Sequence, residues 1–384
     1  MASVRNAHLA RLLIGALGAC SSGTPSTGGP VNGVLGVEVI PCNNGDQCVD
    51  ENISDVTIDD GGALFSRMHQ GGSTSRLVTI LRANFDDGGV ATLTDDPNAN
   101  EAYVGVTGAG DFYVANDQTL TQLTVHNANG SGAEQVPSGG ILAGSLGVAG
   151  GFYFAAGNGN GGSGDLNSGT WPNGIVIDGG VASNELSGHV SRFVPDAGFT
   201  QLSADFLSTY TRHVLATDGT NVYWIAKPAP GTVMSAPMDL STATPGVAIP
   251  EGIGMGVAAN ATAVFWGSTS FASTPLCAIG SGATANVFRT TSFSCLGVAV
   301  DDTHAYFAVV HLEPLQGNAN SSNVFLAGTA IARVALAGPS TQTPKLVDVS
   351  STRWYGARRV LLDAKYVYGI DPSYIARLPK SAFD

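Results

Sequence analysis

One short pattern returns along most of this chain: an apolar run, then Asp, Asn or Gly, then a tight turn, then an aromatic residue or pair. It reads Val298-Ala299-Val300-Asp301-Asp302-Thr303-His304-Ala305-Tyr306-Phe307, and again Val214-Leu215-Ala216-Thr217-Asp218-Gly219-Thr220-Asn221-Val222-Tyr223-Trp224. Further copies occupy residues 257–266, 360–368 and, more weakly, 56–65, and two degenerate copies end at Phe112-Tyr113 and Phe152-Tyr153. Each copy is two β runs joined by a tight turn, which is a hairpin signal. With Leu64, Tyr113, Tyr153, Tyr223, Phe265, Tyr306 and Tyr368 as anchors, the intervals are 49, 40, 70, 42, 41 and 62 residues. A hairpin repeat of about 41 residues demands stacked or radial β architecture, because one such unit cannot bury its own apolar face.

A second motif follows each anchor: a small residue and often Arg, as in Ser75-Arg76, Ser191-Arg192, Ala332-Arg333 and Ala376-Arg377, with Gln122, Ala236 and Cys277 assigned to the same slot elsewhere. Four strands per period, repeated radially, predict an all-β propeller. Strands A and B carry the hairpin, C carries the slot, and D completes the blade. Seven anchors give seven blades; six would follow if the weak first copy is not a blade, and eight if residues 157–187 hide one. The last repeat ends too soon to hold its own strand D, and the apolar run Val34-Leu35-Gly36-Val37-Glu38-Val39-Ile40 lacks any other partner. That run is expected to supply the missing strand and close the ring, which removes the open sheet edges.

All the excess of the interval of 70 and most of that of the interval of 62 fall between strands B and C, at about residues 157–187 and 309–328. B-to-C and D-to-A connections share one face of the disc, so both insertions decorate the same face. Long loops on one face of a repeat array mark its binding face.

The front of the chain gives an address. Residues 1–19 hold Arg5 and Arg11, no acid, and the apolar stretch Leu12-Leu13-Ile14-Gly15-Ala16-Leu17, the make-up of a signal peptide. Leu17-Gly18-Ala19-Cys20 resembles a bacterial lipobox, which implies lipidation of Cys20 and a membrane partner through that anchor. Residues 20–33 then form a Ser/Gly/Pro/Thr tether, and 34–384 the propeller. The expected location is the bacterial cell envelope, at the outer membrane if the host is diderm. Setting Cys20 aside leaves four cysteines. Cys42 with Cys48, and Cys277 with Cys295, are the expected disulfides, as befits an oxidising compartment.

Charged residues are 12% of the chain and the net charge is -13, with only four lysines, which argues against nucleic-acid binding. No cofactor, metal site or catalytic residue is assigned. Gly157-x-Gly159-x-x-Gly162 has no helix pattern after it to hold a phosphate. The Asp pairs 59-60, 86-87, 95-96 and 301-302 read as turn caps. Asn43, Asn44, Asp46, Asp50 and Glu51 lack EF-hand spacing. The least ordinary feature lies at the entry to strand A. Arg212-His213 and Arg358-Arg359 occupy nearly equivalent places in two blades, with Trp354-Tyr355 just upstream. They are candidate ligand residues for a carboxylate or sugar-like group; the competing reading is inter-blade salt bridging, for instance to Asp55.

The Asp218 to Trp224 and Asn260 to Trp266 segments resemble the NHL, YWTD and TolB-like propeller repeats of bacteria, although Ile225-Ala226 and Gly267-Ser268 replace the Thr-Asp that follows Tyr-Trp in the YWTD group. Together these features describe a lipid-anchored, exported, non-catalytic propeller that binds a glycan (polysaccharide), peptide or protein through its loop-rich face. The alternatives are a lactonase- or lyase-type enzyme with its site in the central funnel, and an envelope assembly scaffold.

Overall fold

The computed structural model describes residues 38–39, 52–59, 62–71, 75–86, 89–148, 150–158, 175–176, 184–208, 215–228, 230–270, 275–282, 285–314, 323–350, 359–371 and 374–384. Antiparallel strands fall into seven blades, each four strands deep and ordered A-B-C-D outward. Blade 1 is Asn52–Asp59, Gly62–Gly71, Ser75–Asn84 and Gly89–Asp96. Blade 2 is Ala99–Thr107, Gly110–Asp117, Leu123–Asn127 and Glu134–Gln135. Blade 3 is Ile141–Val148, Gly151–Asn158, Asn184–Val194 and Gly198–Ser208. Blade 4 is Ala216–Thr217, Asn221–Ala226, Thr232–Pro237 and Thr244–Ala248. Blade 5 is Ile253–Ala259, Val264–Ser270, Leu276–Ser281 and Ala285–Thr290. Blade 6 is Ser294–Val300, His304–Pro314, Asn323–Ala335 and Lys345–Ser350. Blade 7 is Arg359–Leu362, Tyr366–Asp371 and Tyr374–Pro379, completed by Glu38–Val39.

That last pairing closes the ring: Glu38 lies opposite Arg377 and Val39 opposite Ala376, antiparallel. The front of the chain thus supplies the strand that the last repeat lacks. Apolar packing follows the same circular logic. Among the described residues there are seven buried clusters, one at each junction between neighbouring blades, including blade 7 against blade 1 through Val56, Phe65, Tyr368, Ile370 and Ile375. Alternation along strand B explains this, since successive side chains point to opposite faces of a sheet. Tyr306 packs toward blade 7 while Phe307 packs toward blade 5, and Tyr223 and Trp224 divide in the same way.

The second blade departs from the expected register. Tyr113 packs back onto blade 1, and Phe112 takes the place that faces blade 3. The slot on strand C also differs from the sequence assignment in part. Arg192, Arg333 and Arg377 do lie directly opposite Tyr153, Tyr306 and Tyr368. In blade 1, however, Arg82 faces Leu64, and Arg76 pairs with Gln70 farther along a longer hairpin. Ser235 and Ser281 hold the slot in blades 4 and 5, not Ala236 and Cys277, and Asn127, opposite Phe112, holds it in blade 2 in place of Gln122.

Strands A crowd round the axis. Gly105 and Gly147 let blades 2 and 3 approach there: a Cβ on Gly147 would sit 2.4 Å from the Val106 backbone nitrogen. Five of the seven strands A carry a register shift against strand B, between Ile53/Asp55, Ala99/Glu101, Leu142/Gly144, Gly254/Gly256 and Leu296/Ala299. Bulges of this kind bend a strand and re-aim its side chains.

Candidate functional site

Both long insertions leave the disc on the B-to-C face. In blade 3, strand B ends at Asn158 and strand C begins at Asn184; in blade 6, strands B and C extend as a long hairpin to Pro314 and Asn323. Between these two insertions Ile175 pairs with Val324, and Val176 with Asn323. Blades 4 and 5 separate the two blades on one side and blades 7, 1 and 2 on the other, so this short ladder links distant sectors of one face.

Polar side chains gather beside the blade 3 insertion. Lys227 reaches Ser187 at 2.5 Å and Asp205 at 3.7 Å. Ser138, in the connection from blade 2 to blade 3, lies 3.5 Å from His189 Nδ1 and accepts from the Gln201 amide at 3.0 Å.

The axis holds a buried polar hub on blade 1. Asp55, 2% exposed, is the residue just after the strand A bulge. Its Oδ1 takes a hydrogen bond from Arg359 Nη1 of blade 7. Its Oδ2 accepts the Val104 N–H of blade 2 at 2.9 Å and the Ser145 hydroxyl of blade 3 at 2.7 Å. One carboxylate therefore joins the innermost strands of four blades. Burial pushes the Arg359 guanidinium well below its ordinary value, and Asp55 opposes that loss of charge. In blade 2, Glu101 and Asn116 face each other across strands A and B, and both are buried.

Of the candidate ligand residues, Arg359 is placed by the structure: it opens strand A of blade 7 and pairs with Asp55. Arg212, His213, Trp354, Tyr355 and Arg358 lie outside the described residues, as do Cys20, Cys42 and Cys48. Cys277 and Cys295 form a disulfide that ties strand C of blade 5 to strand A of blade 6, with Cα atoms 5.2 Å apart and both side chains fully buried. Sequence reading named Asp55 as a partner for Arg but missed Ser145 and the Val104 N–H. The usable signal was an acid at the strand A place that Arg359 holds in the last repeat.

The opposite face is built from turns. Asp218, Asp301 and Asp363 each accept two backbone N–H bonds within the A-to-B turn, and each accepts the hydroxyl of the Tyr five residues on, at 2.7, 3.2 and 2.6 Å. Asn260 caps the same turn in blade 5. Of the Asp pairs read as turn caps, Asp301 and Asp96 do cap turns. Asp59 instead pairs with Arg82, and Asp86 with Arg377. Among the described residues, no three His, Cys, Asp or Glu side chains cluster as metal ligands would.

No protein-family model matches the chain, and no curated protein matches it. Solved structures of similar shape do exist. YCF48 from Cyanidioschyzon merolae is 11% identical with a TM-score of 0.52, the match covering 90% of this chain and 100% of that one. YCF48 bound to D1 peptide is 13% identical with a TM-score of 0.52, covering 93% and 99%. The WD40 repeats of RRP9 are 9% identical with a TM-score of 0.50, covering 90% and 97%. At such identities the likeness is one of fold: a seven-bladed propeller with WD40-like neighbours.

Proposed function

We propose that this protein is an exported, lipid-anchored bacterial propeller that binds without catalysing, and that its partner is an extended peptide or protein segment held on the loop-rich face. The observation that carries the binding reading is the meeting of the two longest insertions on that one face, where residues 175–176 pair with residues 323–324. Irregular loops held on a rigid scaffold are where binding residues concentrate. A solved propeller of similar shape is bound to a peptide, which is compatible with this use of the fold. Export and anchoring rest on the signal-like residues 1–19, on Cys20 and the tether to residue 33, and on the Cys277–Cys295 disulfide, since disulfides persist in oxidising compartments. Kinship with the NHL, YWTD and TolB-like repeats of bacteria is part of the same proposal; the Asp-to-Tyr turn shared by blades 4, 6 and 7 is what supports it.

Two measurements test this. Expressed in a diderm bacterium, the protein should take up labelled palmitate, and Cys20→Ala should abolish the uptake; uptake that persists without Cys20 removes the anchor. A library of extended peptides should yield ligands whose binding falls at least tenfold when residues 160–173 are deleted. Ligands indifferent to that deletion, but lost on changes to the A-to-B turns, would move the binding face to the other side.

A further inference from the structure

We infer that Arg359 is the receptor for a carboxylate group on a ligand entering from the loop-rich face, an assignment that rests on reading that face as the binding face. A guanidinium has five N–H donors in a flat fork. Asp55 takes one of them, at Nη1. The Nε atom is fully buried yet makes no hydrogen bond, and the residue as a whole is only 8% exposed. Asp55 therefore leaves the Nε–H, which shares an edge of the guanidinium with Nη2, unused. Two parallel N–H groups of this kind match the two oxygens of a carboxylate. Leaving a buried charged donor unpaired is costly, and such groups mark a site for water, an ion or a ligand.

Three surroundings favour an anion over a neutral acceptor. Arg359 holds in strand A of blade 7 the place that Asp55 holds in blade 1, two residues before the one opposite the strand B anchor. The Asp55 charge is already held by three donors, so an incoming carboxylate need not displace it to bind the guanidinium. Ser54, next to Asp55 at the strand A bulge, has a buried hydroxyl that is also without a partner. A single negative charge suits this place better than a doubly charged phosphate, because Asp55 repels the second charge.

The probes are acetate and a pair of acetylated tetra-alanine peptides, one ending in a free carboxylate and one in an amide. On the intact protein, the Arg Nε–Hε resonance that disappears in Arg359→Lys should move saturably with acetate at constant ionic strength and stay still with chloride. Folded Arg359→Lys keeps the charge but loses the paired donors, and should bind acetate at least tenfold more weakly. The free-acid peptide should bind at least tenfold tighter than its amide if the carboxylate arrives on a chain end. Absence of a saturable acetate shift in the unaltered protein overturns the assignment, whatever the variant does; so does equal acetate binding by folded Arg359→Lys. Acetate binding with neither peptide bound keeps the carboxylate site, as one for a free organic acid, and counts against the peptide partner. Peptide binding indifferent to both the end group and Arg359 does the reverse.

Discussion

Asp55 sits where water cannot solvate it, so its charge survives only through its donors. It has three, whereas Arg359 has one acceptor. This asymmetry sets an order of costs. Removing one partner of a buried ion pair costs about 3–5 kcal/mol, because the other charge is stranded. Asp55→Ala strands the guanidinium and also orphans the Val104 N–H, and should reach that range. Arg359→Met leaves the carboxylate with two hydrogen bonds and should cost less. The double variant should cost less than the sum of the two. Denaturant unfolding of the three variants checks this, and an Arg359→Met loss equal to or above that of Asp55→Ala would contradict the hub. At this scale the sequence was half legible. An Arg near the axis and an acid to meet it were visible, since they hold equivalent places in strand A of two repeats. Ser145 was not, because a Ser in an apolar strand says nothing of which blade its hydroxyl will reach.

The recurrent element is the A-to-B turn. Asp301 shows its logic best. Burial works against its charge, but the Thr303 N–H, the Lys380 ammonium and the His304 N–H outweigh burial and hold the carboxyl well below its usual range. Burial first, and then Asp301 itself, push the Tyr306 hydroxyl up to about 12. The signs follow from linkage. The depressed carboxyl contributes stability that is present above about pH 4 and lost as the pH falls toward its folded value. The raised phenol contributes stability that is present below about pH 10 and lost as the pH rises through 12. Asp301→Asn should therefore lower stability by about 1–2 kcal/mol at neutral pH and flatten both flanks of the stability profile. Thermal unfolding across pH 2–12 checks it, and flanks unchanged in the variant would refute it. These turns were legible because the Asp-to-Tyr spacing is local. Strand register in the outer half of a blade was less so. Phe112-Tyr113 offers two adjacent aromatics, and only packing against blade 3 selects Phe112. In blade 1 the longer B-to-C hairpin carries Arg76 past the slot that Arg82 fills, and no local signal marks a hairpin's length.

Ring closure belongs to the whole molecule, and two devices serve it. One is the N-terminal strand, which pairs Glu38 and Val39 with Arg377 and Ala376. The other is the seam between blades 7 and 1: the apolar cluster around Tyr368 and Phe65, the Arg359 bond to Asp55, and Arg377, which meets Asp86 at 3.1 Å and stacks over Phe85 and Tyr366. Closure by the front of the chain was legible because the last repeat ends one strand short. The seam was not, since its partners stand about 300 residues apart, as Arg359 and Asp55 do. Their shares can be separated. Val39→Pro removes an N–H and breaks the short ladder while leaving the seam intact. Two ladder bonds at about 0.5–1.5 kcal/mol each set the loss at about 1–3 kcal/mol, well under that of a broken buried ion pair. The ring should stay shut. Hydrogen exchange should quicken in Tyr374–Pro379, now an open edge, and remain slow in Leu276–Ser281 beside the disulfide. An open edge also invites pairing between molecules, so light scattering should rise with protein concentration in the variant alone. Exchange that quickens equally in every blade would mean that the front strand, and not the seam, holds the ring together.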